Sequence, residues 1–414
     1  MTARQNFIAA ALSRTDQVVA VAQKLIAVAS PNPPGDVRAA AEAAASIVSE
    51  LIPSATLTLH PTGPDVTNLV AIVHGARPGK RVVFNGHLDT YPVNEALPWT
   101  VPPLGGLLRG GKLYGRGAAD MKGGIAASIV ALALLAEHRA DWAGQAVLTL
   151  AGDEESMGPL GTAWLLKNIP EARGDATIIG DAGSPRVLRF GEKGFWWLEV
   201  EATGRAAHGA HVHLGDNAID RLSVALDVLR SLRALPVSAP PGVTAAIAAS
   251  RPISEPLSGE GESQVLGSVT VNIGQVSGGT APNLVPASAR ATADIRLPVG
   301  VSGATLGAAL HAALDPLPGI TWRALRQFEP NHTDPANPVV QTLHRVAEEI
   351  LSATVAVNMR VGGSDARWFR MEDLPTVVYG PTPFNMGGAD EYVLVDELAA
   401  VMRVHALAAF DILQ

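Results

Sequence analysis

Acidic and histidine side chains follow several apolar, β-branched segments of this 414-residue chain. In chain order the groups are "NGHLDT" with His87 and Asp89, "GRGAADMKGG" with Asp120, "AGDEESMG" with Asp153, Glu154 and Glu155, and "IIGDAGS" with Asp181. Imidazole and carboxylate groups gathered at strand ends suit a divalent cation such as Zn, Mn or Co. The chain has no cysteine, which excludes thiolate ligands. The residue types predict a metal site built from His, Asp and Glu.

The first group has the spacing of a ligand and its support. Residues two apart share one side of an extended strand end, so Asp89 could accept the spare ring N–H of His87 and free the other nitrogen for a metal. The alternative is a solvated aspartate in a turn. Asp120 lies in a glycine-rich turn that a metal could approach, but an aspartate before a helix is also a common N-cap. Asp181 ends a buried segment and by itself indicates little.

The acidic run from Asp153 to Glu155 is the strongest single signal. Like charges this close repel, so one carboxyl stays protonated unless a cation compensates. With a divalent ion present, one carboxylate can ligate while its neighbour accepts a proton from water. A solvated acidic turn is the alternative, but the run ends an apolar segment that is expected to be a buried strand.

Strands at 68–73, 81–86, 145–152 and 176–181 alternate with helices, including 123–138 and 161–169. This pattern predicts an α/β fold with a central, mostly parallel sheet whose strand ends carry the ligand site. From 192 to 327 the pattern changes to that of an α+β insertion with two helices and four strands. We therefore predict a catalytic domain in two parts, 1–191 and 328–414, around an inserted domain at 192–327, with 251–265 as an exposed loop.

Composition restricts the partners. A net charge of −8 argues against general nucleic-acid binding. The N-terminal apolar residues are interrupted by charged and polar ones, unlike a signal peptide, and no spanning segment is evident. We expect a cytoplasmic protein that binds neither nucleic acid nor membrane.

Taken together, the quoted motifs resemble the M20 metallopeptidases, from about residue 15 to 410. That family includes succinyl-diaminopimelate desuccinylase, acetylornithine deacetylase, aminoacylase and the glutamate carboxypeptidases. The resemblance implies a catalytic domain with two metal ions and a ferredoxin-like lid that often pairs subunits, hence a homodimer or higher homo-oligomer. Carried over by position, it implies the following roles: His87 and Asp181 ligands of one metal, Asp89 support for His87, Asp120 a bridging ligand, Glu154 the general base, and Glu155 a ligand of the other metal.

The resemblance also implies substrate contacts. His208, in "GRAAHGAHVHLGDNAI", matches a lid histidine that can reach a neighbouring subunit and stabilise an oxyanion. Asn283 and Arg296 match positions that hold polar groups of the substrate, although Asn283 could simply pack in a turn. Arg367, in "VGGSDARWF", could bind a carboxylate bidentately or pair with Asp365.

One position departs from the family pattern. In "NMGGADEYV", Gly387 stands where the family has a metal-binding histidine, and glycine has no side chain to ligate. Asn385 or Asp390 could substitute through a shifted loop, and Asn385 could instead contact substrate. The glycine pair could also make room for a bulky substrate. We expect one tightly held ion rather than two.

The predicted activity is hydrolysis of a C–N bond in a small carboxylate substrate, such as an N-acyl amino acid, by metal-activated water with Glu154 as base. One alternative is an aminohydrolase that replaces an aromatic amino group with hydroxyl, as with 5-nitroanthranilate, its ring contacting Trp368, Phe384 or Tyr392. The other is a non-catalytic ligand-binding relative.

Overall fold

The computed structural model describes residues 2–414, with one large and one smaller hydrophobic core. The helices are α1 (Ala3–Leu12), α2 (Thr15–Ile26), α3 (Arg38–Leu51), α4 (Gly123–Glu137), α5 (Thr162–Asn168), α6 (Ala218–Ser231), α7 (Pro241–Ser258), α8 (Glu262–Leu266), α9 (Gly303–Leu314), α10 (Pro338–Leu351), α11 (Ala366–Arg370) and α12 (Val395–Ile412). The strands are β1 (Thr56–Pro61), β2 (Thr67–His74), β3 (Arg81–His87), β4 (Leu107–Arg109), β5 (Lys112–Tyr114), β6 (Gln145–Ala151), β7 (Ala176–Ile179), β8 (Val187–Glu192), β9 (Gly194–Thr203), β10 (Ala207–His208), β11 (Thr270–Gly278), β12 (Leu284–Val285), β13 (Ser288–Leu297), β14 (Ile320–Phe328), β15 (Asn331–His332), β16 (Ala356–Arg360), β17 (Thr376–Val378) and β18 (Tyr392–Leu394).

The large core surrounds a nine-stranded sheet in the order β1-β2-β6-β3-β7-β17-β8-β15, with β16 also paired to β8. The middle pairs β6/β3, β3/β7 and β7/β17 are parallel, as is β8/β16. The pairs β1/β2, β2/β6, β17/β8 and β8/β15 are antiparallel. The predicted α/β fold is confirmed, but the sheet is mixed: the parallel arrangement that the sequence pattern indicates holds in the buried middle and gives way toward the edges.

This parallel centre brings the predicted site residues to one edge of the sheet. His87 is the last residue of β3, the acidic run follows β6, and Asp181 lies just beyond β7. Because the carboxyl ends of adjacent parallel strands meet at the same edge, residues far apart in sequence become neighbours there.

Helix α4 packs on this edge without an intervening side chain. A Cβ atom on Gly124 would lie 1.9 Å from the Gly180 carbonyl oxygen, so the backbones touch only because both residues are glycine. Among residues 2–414, the segment Ala118–Glu137 is the one helical stretch long and apolar enough to cross a bilayer, and 94% of its apolar window is buried inside the protein. Its apolar character is that of a core helix.

The smaller core lies between helices α6 and α9 and the four-stranded antiparallel sheet β11-β13-β9-β14. The predicted α+β arrangement of two helices on four strands is present, but the same part of the chain also contains α7 and α8, which the prediction lacks. Strand β13 carries alternating buried residues along its length, as a sheet with one covered face requires.

The prediction of an exposed loop at 251–265 is wrong, because most of it is helical in α7 and α8. Pro252 and Pro256 lie inside α7, where proline is unfavourable, yet long-range contacts fix the backbone. Arg189 Nη1 donates to Glu262 Oε1 at 3.1 Å, and Asn358 Nδ2 donates to Ser254 Oγ at 3.0 Å, all in the interior. Satisfying these buried groups outweighs the unfavourable helix propensity.

Candidate metal and active site

Three potential ligands converge at the sheet edge. Single ligand atoms of His87, Asp120 and Asp181 all lie within 4.8 Å of one another. His87 and Asp181 are buried at the ends of β3 and β7, and Asp120 lies in the turn before α4. His87 Nε2 is 3.1 Å from Asp120 Oδ1. One imidazole and two carboxylates match the donor set that Zn, Mn or Co prefers.

The second ring nitrogen of His87 is held by Asp89, though not chiefly through the carboxylate. Nδ1 lies 2.9 Å from the Asp89 backbone oxygen and 3.5 Å from Oδ1. A proton on Nδ1 therefore has an acceptor, and this tautomer leaves Nε2 free for an ion. Burial opposes the imidazolium, but the partners Asp120 and Asp89 outweigh it and hold the pKa of His87 well above its ordinary value.

The Asp89 carboxylate instead organises the acidic run. Its oxygens accept the backbone N–H groups of Glu154 at 3.2 Å and Glu155 at 2.9 Å, and the Asn32 amide at 2.9 Å. Asp89 is fully buried, yet hydrogen bonds from His87 and these donors lower its pKa. A charged Asp89 thereby fixes the end of β3 to the loop that follows β6.

The three acids of that run have different surroundings. Asp153 closes its own loop by accepting the Leu160 N–H at 2.7 Å. Glu154 Oε1 accepts from Arg367 Nη1 at 3.0 Å. Glu155 Oε1 is buried with no hydrogen-bond partner. Burial, followed by the charge of Asp120, raises the pKa of Glu155 to about 9. A buried carboxylate without a donor is costly, and a divalent cation would compensate it, so the residues fit a metal centre.

Arg367 contacts the acid predicted to be the general base. Its guanidinium is 1% exposed and lies against the rings of Phe328 and Trp368, with centroid distances of 4.8 and 5.4 Å. Asp365 is farther away, 3.9 Å from Nη2. The Arg367 Nε and Nη2 atoms have no hydrogen-bond partner. Burial raises the pKa of Glu154 although Arg367 opposes the shift.

The sequence interpretation missed two further arginines. Arg360 Nη1 donates to Asp181 Oδ2 at 2.6 Å, so a permanent cation supports that potential ligand. Arg116 forms a buried ion pair with Glu391 and donates to the carbonyl oxygens of Gly387 at 2.9 Å and Gly388 at 3.0 Å. Arg116 thus fixes the loop that contains Gly387. A charged residue inside a glycine-rich run, as in "YGRGAAD", is the only sequence sign of this contact.

The two candidate substitutes for the missing histidine have other partners. Both carboxylate oxygens of Asp390 accept from Thr100, at 2.8 Å from its N–H and 2.6 Å from its hydroxyl. Asn385 Nδ2 donates to the Asp390 backbone oxygen at 3.2 Å. Neither belongs to the three-residue ligand group found among residues 2–414. Loop contacts account for their orientation.

The predicted lid residues lie apart from the carboxylates. His208 and Asn283 are exposed, and Arg296 pairs with Asp294 and lies over the Phe195 ring at 4.9 Å. Neighbouring rings of His208, His211 and His213 are about 6 Å apart, with centroid distances of 5.9 and 6.0 Å. Within one chain, residues 2–414 show no hydrogen bond between these lid side chains and the metal-ligand group.

The aromatic residues considered for ring binding mostly contact one another. Phe384 stacks on Tyr392 at 4.6 Å with an interplanar angle of 2°, and Tyr392 also packs on Tyr114 at 5.2 Å. Trp368 meets Phe328 edge-on at 5.4 Å. Only Trp368 lies beside a residue that contacts Glu154.

Comparisons with known proteins find relatives in sequence and in fold. The sequence profile of "Peptidase family M20/M25/M40" matches residues 83–411. A succinyl-diaminopimelate desuccinylase of Methylorubrum extorquens is 32% identical over 361 residues, covering 83% of this chain and 86% of that protein.

Solved structures show the same fold. An M20 family metallo-carboxypeptidase from Sulfolobus solfataricus superposes with a TM-score of 0.75 at 17% identity, covering 96% of this chain and 98% of the other. A dinuclear metal-binding M20 peptidase from Bacillus subtilis superposes with a TM-score of 0.67 at 13% identity, covering 96% and 98%.

Proposed function

Because this chain belongs to peptidase family M20/M25/M40 and is thus a metal-dependent hydrolase, we propose that it cleaves the amide C–N bond of an N-acyl amino acid or a similar small carboxylate substrate. The observation that carries the proposal is the contact between Glu154 and Arg367 beside the His87–Asp120–Asp181 group. The name of the desuccinylase relative supports the substrate class, since its substrate is an N-acylated amino acid.

We assign the metal to His87, Asp120 and Asp181, with Glu155 at its margin. A divalent ion there would supply a Lewis acid that polarises the scissile carbonyl and lowers the pKa of water. We propose one tightly held ion, because the arginines already compensate part of the negative charge: Arg360 pairs with Asp181 and Arg367 with Glu154. The donor set of one imidazole and two carboxylates favours Zn, Mn or Co as the ion.

Glu154 is the proposed general base. Its carboxylate accepts a proton from the attacking water and returns it to the leaving amine, so the residue is unchanged after each turnover. The hydrogen bond from Arg367 holds one carboxylate oxygen of Glu154. It thereby fixes the orientation of the carboxylate that accepts the proton. The positive charge of Arg367 also opposes the effect of burial on the pKa, so that Glu154 stays available as a base.

Substrate carboxylate binding is assigned to Arg367, Arg296, Asn283 and Asn385. Arg367 suits this role because its Nε and Nη2 donors are buried and have no hydrogen-bond partner in the protein. His208 is proposed to stabilise the oxyanion from a neighbouring subunit, because it is exposed on the lid and does not contact the ligand group of its own chain. Pairing through the lid is therefore part of the proposal.

Replacing Glu154 tests the assignment. Glu154→Gln should lower kcat by about 10²–10⁴-fold while retaining the ion, because the amide keeps the shape but cannot accept the proton. The substrates would be N-succinyl and N-acetyl amino acids, with a set of aminobenzoates beside them. Unchanged kcat in the Gln variant would exclude Glu154 as the base.

The same substrates separate the alternatives. Turnover of an aminobenzoate but of no amide would replace the proposal with an aminohydrolase. Saturable binding of the amides without turnover, by wild type loaded with Zn, Mn or Co, would indicate a ligand-binding relative. Arg323→Ala is a suitable control, since Arg323 is exposed on the lid and pairs with Glu199.

A further inference from the structure

The ring of Tyr91 lies against the position that lacks a histidine. A Cβ atom built on Gly387 would lie 3.7 Å from Tyr91 Cδ2 and 3.9 Å from Cγ, and no other atom would be within 4 Å. The first atom of a side chain therefore fits, and it starts in van der Waals contact with the tyrosine ring. A larger side chain would have to share its space with that ring.

Backbone contacts fix where Tyr91 stands. It follows Thr90, whose N–H donates to the Ser30 oxygen at 2.9 Å and whose oxygen accepts the Asn32 N–H at 2.8 Å. Tyr91 is four residues beyond His87, so the strand that supplies the first ligand also places this ring. The N–H of Glu155 donates to the Asp89 carboxylate at 2.9 Å, two residues before Tyr91, so the ring follows directly on the contact that holds the Glu155 loop.

Hydrogen bonds also hold the loop that contains Gly387. Arg116 donates to the Gly387 and Gly388 oxygens, and Glu391 accepts the Ala119 N–H at 3.0 Å, next to Asp120. Position 387 therefore cannot move away from the Asp120 turn without breaking buried hydrogen bonds. Tyr91 and Gly387 therefore meet between two segments that hydrogen bonds hold in place, one of them bonded through Asp89 to the loop of Glu155.

We propose that Tyr91 occupies the space of the ligand missing at position 387, and that the Tyr91–Gly387 pair limits this centre to one ion. The ring closes the Glu155 side of the site where a second ion would need its last ligand. Tyr91 is 44% exposed, so the outer part of the same ring faces solvent. This inference rests on the proposed single-ion centre.

The test is to restore the histidine with and without the ring. Wild type, Gly387→His, Tyr91→Ala and the double variant Tyr91→Ala/Gly387→His would be loaded with Mn²⁺ or Zn²⁺, dialysed and measured by elemental analysis. Gly387 has a φ of +73°, at which any side chain is strained, although histidine adopts this conformation more readily than most residues. We expect about two ions per chain in the double variant and about one in each of the others, since a complete ligand set requires both changes.

Gly388→His in the Tyr91→Ala background is the matched control. It adds the same imidazole one residue away and should stay at about one ion per chain. Thermal unfolding of each apo variant shows whether it is folded before metal is counted.

A second ion in Gly387→His alone would show that the ring is no obstacle and overturn the inference. So would a folded double variant that remains at one ion. Two ions in wild type would overturn both the inference and the single-ion centre, whereas one ion without amide hydrolysis would overturn only the proposed activity.

Discussion

The two sides of the carboxylate cluster differ in how well their ligands are supported. On the His87 side, Asp89 holds the imidazole and Arg360 holds Asp181, so these two potential ligands have oriented partners. On the Glu155 side, one carboxylate oxygen has no partner, and Gly387 stands where the family has a metal-binding histidine. Support of the ligand side chains is thus confined to one half of the site, which is the physical basis for expecting one strong ion position.

The largest expected effect is the loss of metal affinity when a ligand on the His87 side is removed. Asp181→Ala removes one of three converging ligands and leaves the Arg360 cation facing the ion. We expect the affinity for Mn²⁺ or Zn²⁺ to fall by more than about 100-fold, beyond the loss typical of an outer supporting residue. Glu155→Gln should weaken binding by less than about 10-fold. Titration calorimetry of both variants checks the order, and a larger loss in Glu155→Gln would reverse the comparison.

The second-largest effect is expected on kcat/KM when Arg367 is replaced. Arg367→Met removes the charged hydrogen bond to Glu154, so the base loses its orientation and the opposition of the Arg367 charge to the burial-raised pKa. A charge-assisted hydrogen bond contributes about 1.5–3 kcal/mol, which corresponds to about 10–150-fold in kcat/KM. The ion content should not change. If Arg367→Met loses the ion instead, the arginine supports the metal site rather than the base.

The pH dependence of apo stability tests the unsupported side. Glu155 has a pKa of about 9 in the folded chain against an ordinary value of 4.5. Between those values the folded state keeps a proton that the unfolded state releases, so stability falls as pH rises through this window and the penalty is absent below 4.5. We expect the apo Tm to fall by several degrees from pH 5 to pH 9.

The decrease of Tm with rising pH should be smaller when the ion is bound, and also smaller in the apo Glu155→Gln variant. Differential scanning calorimetry in a pH series measures both. An apo Tm that rises with pH over this range would contradict the assignment of an uncompensated carboxyl at Glu155.

The smallest effect is expected at Asp390. Its carboxylate is held by Thr100, so Asp390→Asn should change ion affinity by less than about threefold, comparable to a surface interaction. Thr100→Val provides the matching change on the other partner. A loss of the ion in Asp390→Asn but not in Thr100→Val would show that Asp390 ligates after all, and the two sides of the cluster would then be more alike.

The residues of this site that lie at the ends of strands could be predicted from the sequence. Apolar β-branched runs ending in His87, the acidic run and Asp181 mark β3, β6 and β7, and adjacent parallel strands bring such ends together. The glycine at 387 could be recognised only through the family resemblance, because a missing ligand leaves no local pattern.

The supporting contacts could not be predicted in the same way. Arg116 and Glu391 are 275 residues apart, Glu154 and Arg367 are 213 apart, and Asp181 and Arg360 are 179 apart. No periodicity links such pairs, and an arginine in a loop is usually solvated. The Tyr91–Gly387 contact likewise depends on two loops that meet only in the folded chain. Helix α7 depends on buried polar partners from other elements.

The most direct test of the single supported ion position is the metal content of wild-type protein, purified without chelator and measured by elemental analysis alongside amide hydrolysis. The structure predicts about one divalent ion per chain, with hydrolysis lost when chelator removes that ion and restored when it is returned. About two ions per chain, both needed for hydrolysis, would contradict it and would mean that the Glu155 side finds its missing ligand elsewhere.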